Sequence, residues 1–197
     1  TDWKQIRPLG ISCAATICTG DERPTFWFHG KYGNEPLEGA MTVEEVSELV
    51  EYLQTMETLG YRIVTWNGLG FDFDVLAEES NMTSQCKELA INHIDMMFHL
   101  FCVKGFPLGL NTSAHGLGLS GKTEGMHGDL APIMWAKSVE DRNKVLEYVG
   151  QDAITTLQVC ETALQRNSLP WISKTGRQNF FFIPDGWITV QEAVKLP

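Results

Sequence analysis

The spacing of apolar and polar positions changes several times along this chain, and each change marks an element. Residues 9–19 run uncharged with little helical period and read as a buried strand. Turn-forming residues follow at 19–24, and residues 25–29 read as a second strand, so the two make a hairpin. Residues 31–37, with Gly33 and Pro36, are loop. Thr42 with Glu45 three residues on is a capping box, and the stripe Val46, Leu49, Val50, Leu53, Met56 keeps the 3.6-residue period until Gly60. Residues 61–66 are apolar on both faces, as a strand inside a sheet should be. Short helices are expected over 73–79 and 94–103. Residues 105–132, rich in Gly, Ser, Thr and Asn, read as loop with short helical turns. A long helix begins near Ser138, with Asp141 at the capping position and a core stripe of Val145, Val149, Ala153, Leu157, Cys160 and Leu164. The tail from Trp171 holds the run Phe180-Phe181-Phe182-Ile183 and a second capping box, Thr189 to Glu192. Strands interspersed with helices around one core predict a single α/β domain over 1–197.

Composition narrows the class. At 43% hydrophobic and 20% charged, the chain is an ordinary globular sequence. It has no run of about 18 apolar residues, so no membrane span is expected, and its first residues lack a basic-then-apolar signal. Five cysteines without Cys-x-x-Cys spacing, in apolar surroundings, read as free core thiols of a reducing cytoplasm. A net charge of −10 speaks against gripping long nucleic acid by a broad basic surface. It leaves room for an enzyme whose carboxylates hold metal ions and whose substrate contact covers a few nucleotides.

Two segments carry the candidate chemistry. Asn67-Gly68-Leu69-Gly70-Phe71-Asp72 follows the 61–66 strand and can present a carboxylate at the strand end, where α/β sheets bind ligands. The plain alternative is a turn at Asn67-Gly68 with Asp72 as a helix N-cap. Asp74 competes for the role, but two residues along a starting helix it points away from Asp72. The second segment sets Tyr148 and Asp152 four residues apart on one helix face, at the border of the apolar stripe, with Gly150 between them. The plain alternative here is a solvated helix edge.

Asn-x-x-x-Phe-Asp at 67–72, followed by Tyr-x-x-x-Asp at 148–152, resembles the second and third motifs of the DEDD 3′–5′ exonucleases, tyrosine branch, of the ribonuclease H-like fold. The tracts at 10–15, 131–135 and 187–190 are similar to those of stand-alone bacterial members related to the family B polymerase exonuclease domain. The resemblance implies a mixed, roughly five-stranded sheet with helices on both faces. It implies Asp72 and Asp152 as ligands to two Mg²⁺ or Mn²⁺ ions, Tyr148 orienting the attacking water, and Asn67 and Phe71 contacting the 3′-terminal nucleotide. Two such ions about 3.5–4 Å apart would generate hydroxide and stabilise the leaving oxygen. The implied activity is hydrolysis at the 3′ ends of single-stranded DNA or RNA, releasing 5′-mononucleotides.

The family's first motif, Asp-x-Glu, is missing. The only early acids are Asp2 and the adjacent Asp21 and Glu22. Thr1 onward fits the residues just after that motif, so the sequence is expected to be a piece whose first strand, the middle of the sheet, lies upstream; without it two apolar edges would be open. A catalytically inactive exonuclease-like module that binds nucleic acid or a protein is the alternative from a different class. A third reading comes from residues 116–123, which match G-x-x-x-x-G-K-[ST] at every fixed position. That loop needs a strand before it and a helix after it, and neither is expected here; Lys122 in a Gly-rich loop near the cleft, touching a substrate phosphate, is the plainer view. The five histidines show no zinc spacing. Asp95 reads as a helix-start acid, and Lys174 and Arg177 as surface.

Overall fold

The expected hairpin forms. A computed structural model describes residues 3–33, 35–121 and 130–196, and in it β1 (Cys13–Thr16) pairs antiparallel with β2 (Thr25–Phe28), Cys13 opposite Phe28. β1 is shorter than the uncharged stretch because residues 10 and 11 bond elsewhere. The Gly10 N–H donates to Glu79 Oε1 at 2.8 Å, and the Ile11 carbonyl accepts the N–H of Met41 at 2.7 Å. α1 (Val43–Thr58) starts on the expected capping box at Thr42, and the same Glu45 carboxylate also accepts the N–H of Gly30 at 2.8 Å, tying the helix to the chain leaving β2. Its Val46, Leu49, Val50 and Leu53 are buried against α2 (Asp72–Ser80) and α3 (Thr83–Asn92).

The sheet departs from expectation. Instead of five strands in one sheet, the described residues form three two-stranded pairs: β1–β2, parallel β3 (Val64–Thr65) with β4 (Ile94–Asp95), and antiparallel β5 (Ser168–Ile172) with β6 (Gln178–Phe182). β3 and β4 are only two residues long, because each runs at once into a turn or a helix. Ile94 and Asp95, expected as the first residues of a helix, pair with β3 and lead into α4 (Met96–Lys104), with Asp95 as its N-cap in extended backbone. The 105–132 stretch contains α5 (Leu110–Gly116) and the start of α6 (Ala131–Trp135). After α7 (Val139–Arg166) and the β5–β6 hairpin, α8 (Val190–Ala193) begins on the expected box at Thr189 and Glu192.

α7 binds the molecule together. It starts where expected, but the cap is Ser138, whose Oγ accepts the N–H of Asp141, rather than Asp141 itself. Its buried positions are not one stripe, however: Arg142, Leu146, Tyr148, Gly150 and Thr155 are buried with Val145, Val159, Cys160 and Ala163, while Leu164 is 41% exposed. A helix packed against β1, β2, β3, α5, α6 and β5 is covered on more than one side. β1 and β3 both lie on α7, yet no ladder joins them among the described residues. One apolar core gathers Trp27 with α1, α2 and α3; another gathers α4, α5, the second half of α7, Leu169, Phe181 and Trp187. All five cysteines are free thiols, and burial pushes Cys13 and Cys160 up to about 12, leaving them inert at neutral pH. Among the described residues no helix is long and apolar enough to cross a membrane.

Candidate active site

Thr65 and Asp95, the last residues of β3 and β4, are register partners. That pairing sets the Asp95 carboxylate beside the chain leaving β3. Its Oδ1 accepts the N–H of Asn67 and of Phe98, each at 3.0 Å, and its Oδ2 accepts the N–H of Leu69 at 3.0 Å. One buried carboxylate thus closes the loop and caps α4. Thr65 Oγ1 accepts the N–H of Gly68 at 3.1 Å and lies 3.0 Å from His93 Nε2. His93 Nδ1 lies 2.7 Å from the Ala90 carbonyl. A carbonyl only accepts, so Nδ1 carries the proton, Nε2 accepts from the Thr65 hydroxyl, and that hydroxyl takes the Gly68 N–H. Burial lowers the His93 pKa and so keeps the ring in this neutral form.

The turn these bonds impose has no room for a side chain at Gly68, and one at Gly70 would push the Asn67 side chain aside. Asn67 has a φ of +74°, a conformation asparagine tolerates better than most residues. A Cβ at Gly68 would stand 2.5 Å from Thr65 Oγ1, and one at Gly70 would stand 2.6 Å from Asn67 Oδ1. The Gly70 N–H donates to the Asn67 carbonyl at 3.1 Å, so the plain turn reading of Asn67-Gly68 holds. The N-cap reading of Asp72 does not: Phe71 occupies the cap and Asp72 is the first helical residue of α2.

Asp72 keeps a solvent-exposed edge while protein crowds its carboxyl. The resulting desolvation raises its pKa to about 6, against a hydrogen bond from its own backbone N–H, and the negative charge of Asp95 adds to the rise. Asp74 instead interacts with the guanidinium of Arg7. Phe71 is 38% exposed and meets Trp3 edge to face, with centroids 5.0 Å apart. Beside the loop opens a mostly apolar cavity of about 380 Å³, walled by Asn67, Leu69 and Gly70 on one side and Met97, Phe98, Phe101 and Pro107 on the other. That is room for a nucleobase-sized ligand.

Tyr148 and Asp152 sit on α7, which packs against β3 as well as β1. Tyr148 is 8% exposed, and Asp152 is half-buried with Oδ1 shielded from solvent. The solvated-edge alternative therefore does not hold. Gly150 is explained by packing: a Cβ there would meet the Phe26 ring at 2.8 Å and Pro24 at 3.1 Å, so side chains of the first hairpin, not a substrate, claim the space.

The structure thus gathers Asn67, Phe71, Asp72 and Asp95 into one braced loop and puts Tyr148 and Asp152 a turn apart on α7. Among the described residues no three His, Cys, Asp or Glu side chains are grouped to hold a metal ion. Asp95, whose charge Asp72 feels, has both oxygens engaged by backbone N–H groups and is a poor third ligand. The acids present therefore do not by themselves complete the two-ion centre expected from the motifs. The sequence places Asp95 at a helix start, as found, but gives no sign of its brace on the 67–69 turn or of Thr65 and His93 beside it.

The phosphate-loop reading fails in the part described. Gly116 ends α5 instead of following a strand, and it packs directly on the backbone of Pro170 and Trp171 in β5. Leu117 and Leu119 belong to the core. Lys122 and Thr123 lie outside the described residues.

No curated protein and no solved structure matches this chain. A family model described as the RNase H superfamily matches residues 16–164, from the end of β1 nearly to the end of α7. The chain belongs to the RNase H superfamily.

Proposed function

We propose that this chain is a 3′–5′ exonuclease-type hydrolase of single-stranded DNA or RNA ends, releasing 5′-mononucleotides. Membership of the RNase H superfamily supports nuclease-type chemistry on nucleic acid; the direction and the single-strand preference rest on the 67–72 and 148–152 motifs. The observation that carries the reading is the Asp95-braced turn, which sets Asn67 in the wall of an apolar cavity and runs on to Asp72, the first residue of α2. In this reading Asn67 and the exposed Phe71 meet the 3′-terminal nucleotide. Asp72 and Asp152 offer carboxylate oxygens of the kind Mg²⁺ or Mn²⁺ takes, and such an ion supplies charge against the phosphodiester oxygens when bound. Tyr148 offers its hydroxyl one turn from Asp152 to orient water. Two acids are fewer than a two-ion centre takes, so these residues on their own bind and orient.

A second reading is favoured by one observation, the lack of a three-ligand group among the described residues: a module that binds nucleic acid or protein without cleaving. Incubating 5′-labelled single-stranded DNA and RNA with Mn²⁺ separates the two. The exonuclease produces a ladder shortened one nucleotide at a time from the 3′ end, and Asp152→Ala loses it. Internal fragments would point to a different nuclease of the superfamily. Intact oligonucleotide that is bound by the protein would establish the binding module.

A further inference from the structure

We propose that the β5–β6 hairpin is a second nucleic-acid contact, a face on which bases of a single strand stack, separate from Asp72 and Asp152. The hairpin lies beyond the segment shared with the family. Register sets its two faces: Leu169 opposes Phe181, and Pro170 opposes Phe180. The inward face buries Leu169, Trp171 and Phe181 in the core. The outward face exposes Ile172 at 60%, Phe180 at 41% and Phe182 at 68%. The rings of Phe180 and Phe182 lie nearly parallel, 14° apart with centroids at 5.8 Å, and both are offered to solvent.

Charge around this face runs against the net acidity of the chain. From residue 162 to 184 there are three basic residues, Arg166, Lys174 and Arg177, and no acid, in a chain with 25 acids against 15 basic residues. All three are exposed, and none is in an ion pair among the described residues. Flat apolar rings flanked by free cations complement a ligand that has flat apolar faces and one anionic group per unit, which is a single nucleic-acid strand. In so acidic a protein, stacking has to carry more of the affinity than phosphate contacts do.

The test is read without hydrolysis: anisotropy of a fluorescein-labelled 15-mer oligothymidine in EDTA over a salt series, with the full chain. Both phenylalanines are exposed, so Phe180→Ala/Phe182→Ala keeps the fold, checked by its melting curve, and is expected to bind about tenfold more weakly or worse. Lys174→Gln/Arg177→Gln is expected to shrink the slope of log affinity against log salt by about 1.4, for two phosphate contacts. Unchanged affinity in the phenylalanine variant overturns the proposal, as does a wild type that binds no oligonucleotide. So does a wild-type dimer that the phenylalanine variant converts to monomer in sedimentation, since the face would then belong to a second copy. A chain that binds through the hairpin yet degrades nothing would sink the nuclease reading alone. One that degrades 3′ ends while the phenylalanine variant binds normally would sink this one alone.

Discussion

The 67–72 loop and the 148–152 stretch of α7 each carry a candidate carboxylate, and the contacts that position them differ in kind. The loop is a polar construction: one buried carboxylate accepts three backbone N–H groups, and a threonine and a neutral histidine continue the chain of bonds. The helix segment is placed by packing, with Val145, Leu146 and Tyr148 buried and Gly150 letting Phe26 come close. Polar bracing fixes direction, because hydrogen bonds demand angles as well as distances. Packing fixes depth and tolerates small rotations. An acid that must face a narrow target is better served by the first, and a 28-residue helix packed against six elements by the second.

The largest test of this contrast is Asp95→Ala. It strands three N–H groups at about 1–3 kcal/mol each when buried. Allowing for water reaching some of them, a loss of about 3–5 kcal/mol in urea unfolding is expected, with Asp72 displaced and any nuclease activity lost. Asp95→Asn retains one acceptor oxygen and should cost clearly less. An Asp95→Ala protein within about 1 kcal/mol of wild type would mean the loop is held by packing after all. On the helix side, Gly150→Ala gains about 1 kcal/mol of helix propensity but drives a methyl group into the Phe26 ring, an overpacking cost of about 1–3 kcal/mol. The net expectation is a destabilisation of about 1 kcal/mol with the site's direction kept, read as a lower melting temperature and nearly unchanged activity per folded molecule.

Gly70→Ala should behave in the reverse way. The added methyl group meets only the end of the Asn67 side chain, which can swing aside, so stability should move by less than about 0.5 kcal/mol. Asn67 would leave its place in the cavity wall, and binding or hydrolysis of single-stranded ends should weaken more than stability does. Equal losses in both would remove Asn67 from the substrate contact.

What was legible in the sequence follows the same line between local and distant causes. The capping boxes at Thr42 and Thr189 and the first hairpin each depend on residues a few positions apart, and each appears as read; at α7 the helix starts where expected, with Ser138 rather than Asp141 as its cap. The role of Asp95 depends on a parallel register across 28 positions of sequence to Asn67, and no local pattern reports that. Ile94-Asp95 looked helical because the apolar run continues into α4; only its neighbour β3 makes it a strand. The single stripe expected on α7 does not describe its buried positions, because burial there comes from six packed elements and not from one core face. The aromatic run at 180–183 is conspicuous in the sequence, whereas its partner Ser168–Ile172 contains a proline, which speaks against a strand there. Proline at 170 is buried but occupies an edge of a two-stranded pair, where its missing N–H costs no ladder bond.

The smallest effect concerns Asp72 itself and separates the loop from the solvent it opens to. Its carboxyl is raised from 3.8 to about 6 by desolvation and by the charge of Asp95. An acid with a raised folded pKa binds its proton more tightly in the folded than in the unfolded chain. Its stabilising contribution is therefore present below about pH 3.8 and is lost as pH rises through about 6. At neutral pH, in metal-free buffer, the ionised carboxylate is a burden, and Asp72→Asn should melt higher than wild type. The exposed edge of Asp72 lets water screen much of this, so the gain should stay below about 1 kcal/mol, or about 1–3 °C for a chain of this length. At pH 4 the wild-type acid is mostly protonated and resembles the amide, and the difference should vanish. If the two proteins differ by the same amount at pH 4 and pH 7, the carboxyl stands in bulk water, and the brace that Asp95 provides ends at Leu69 instead of reaching the residue it is argued to aim.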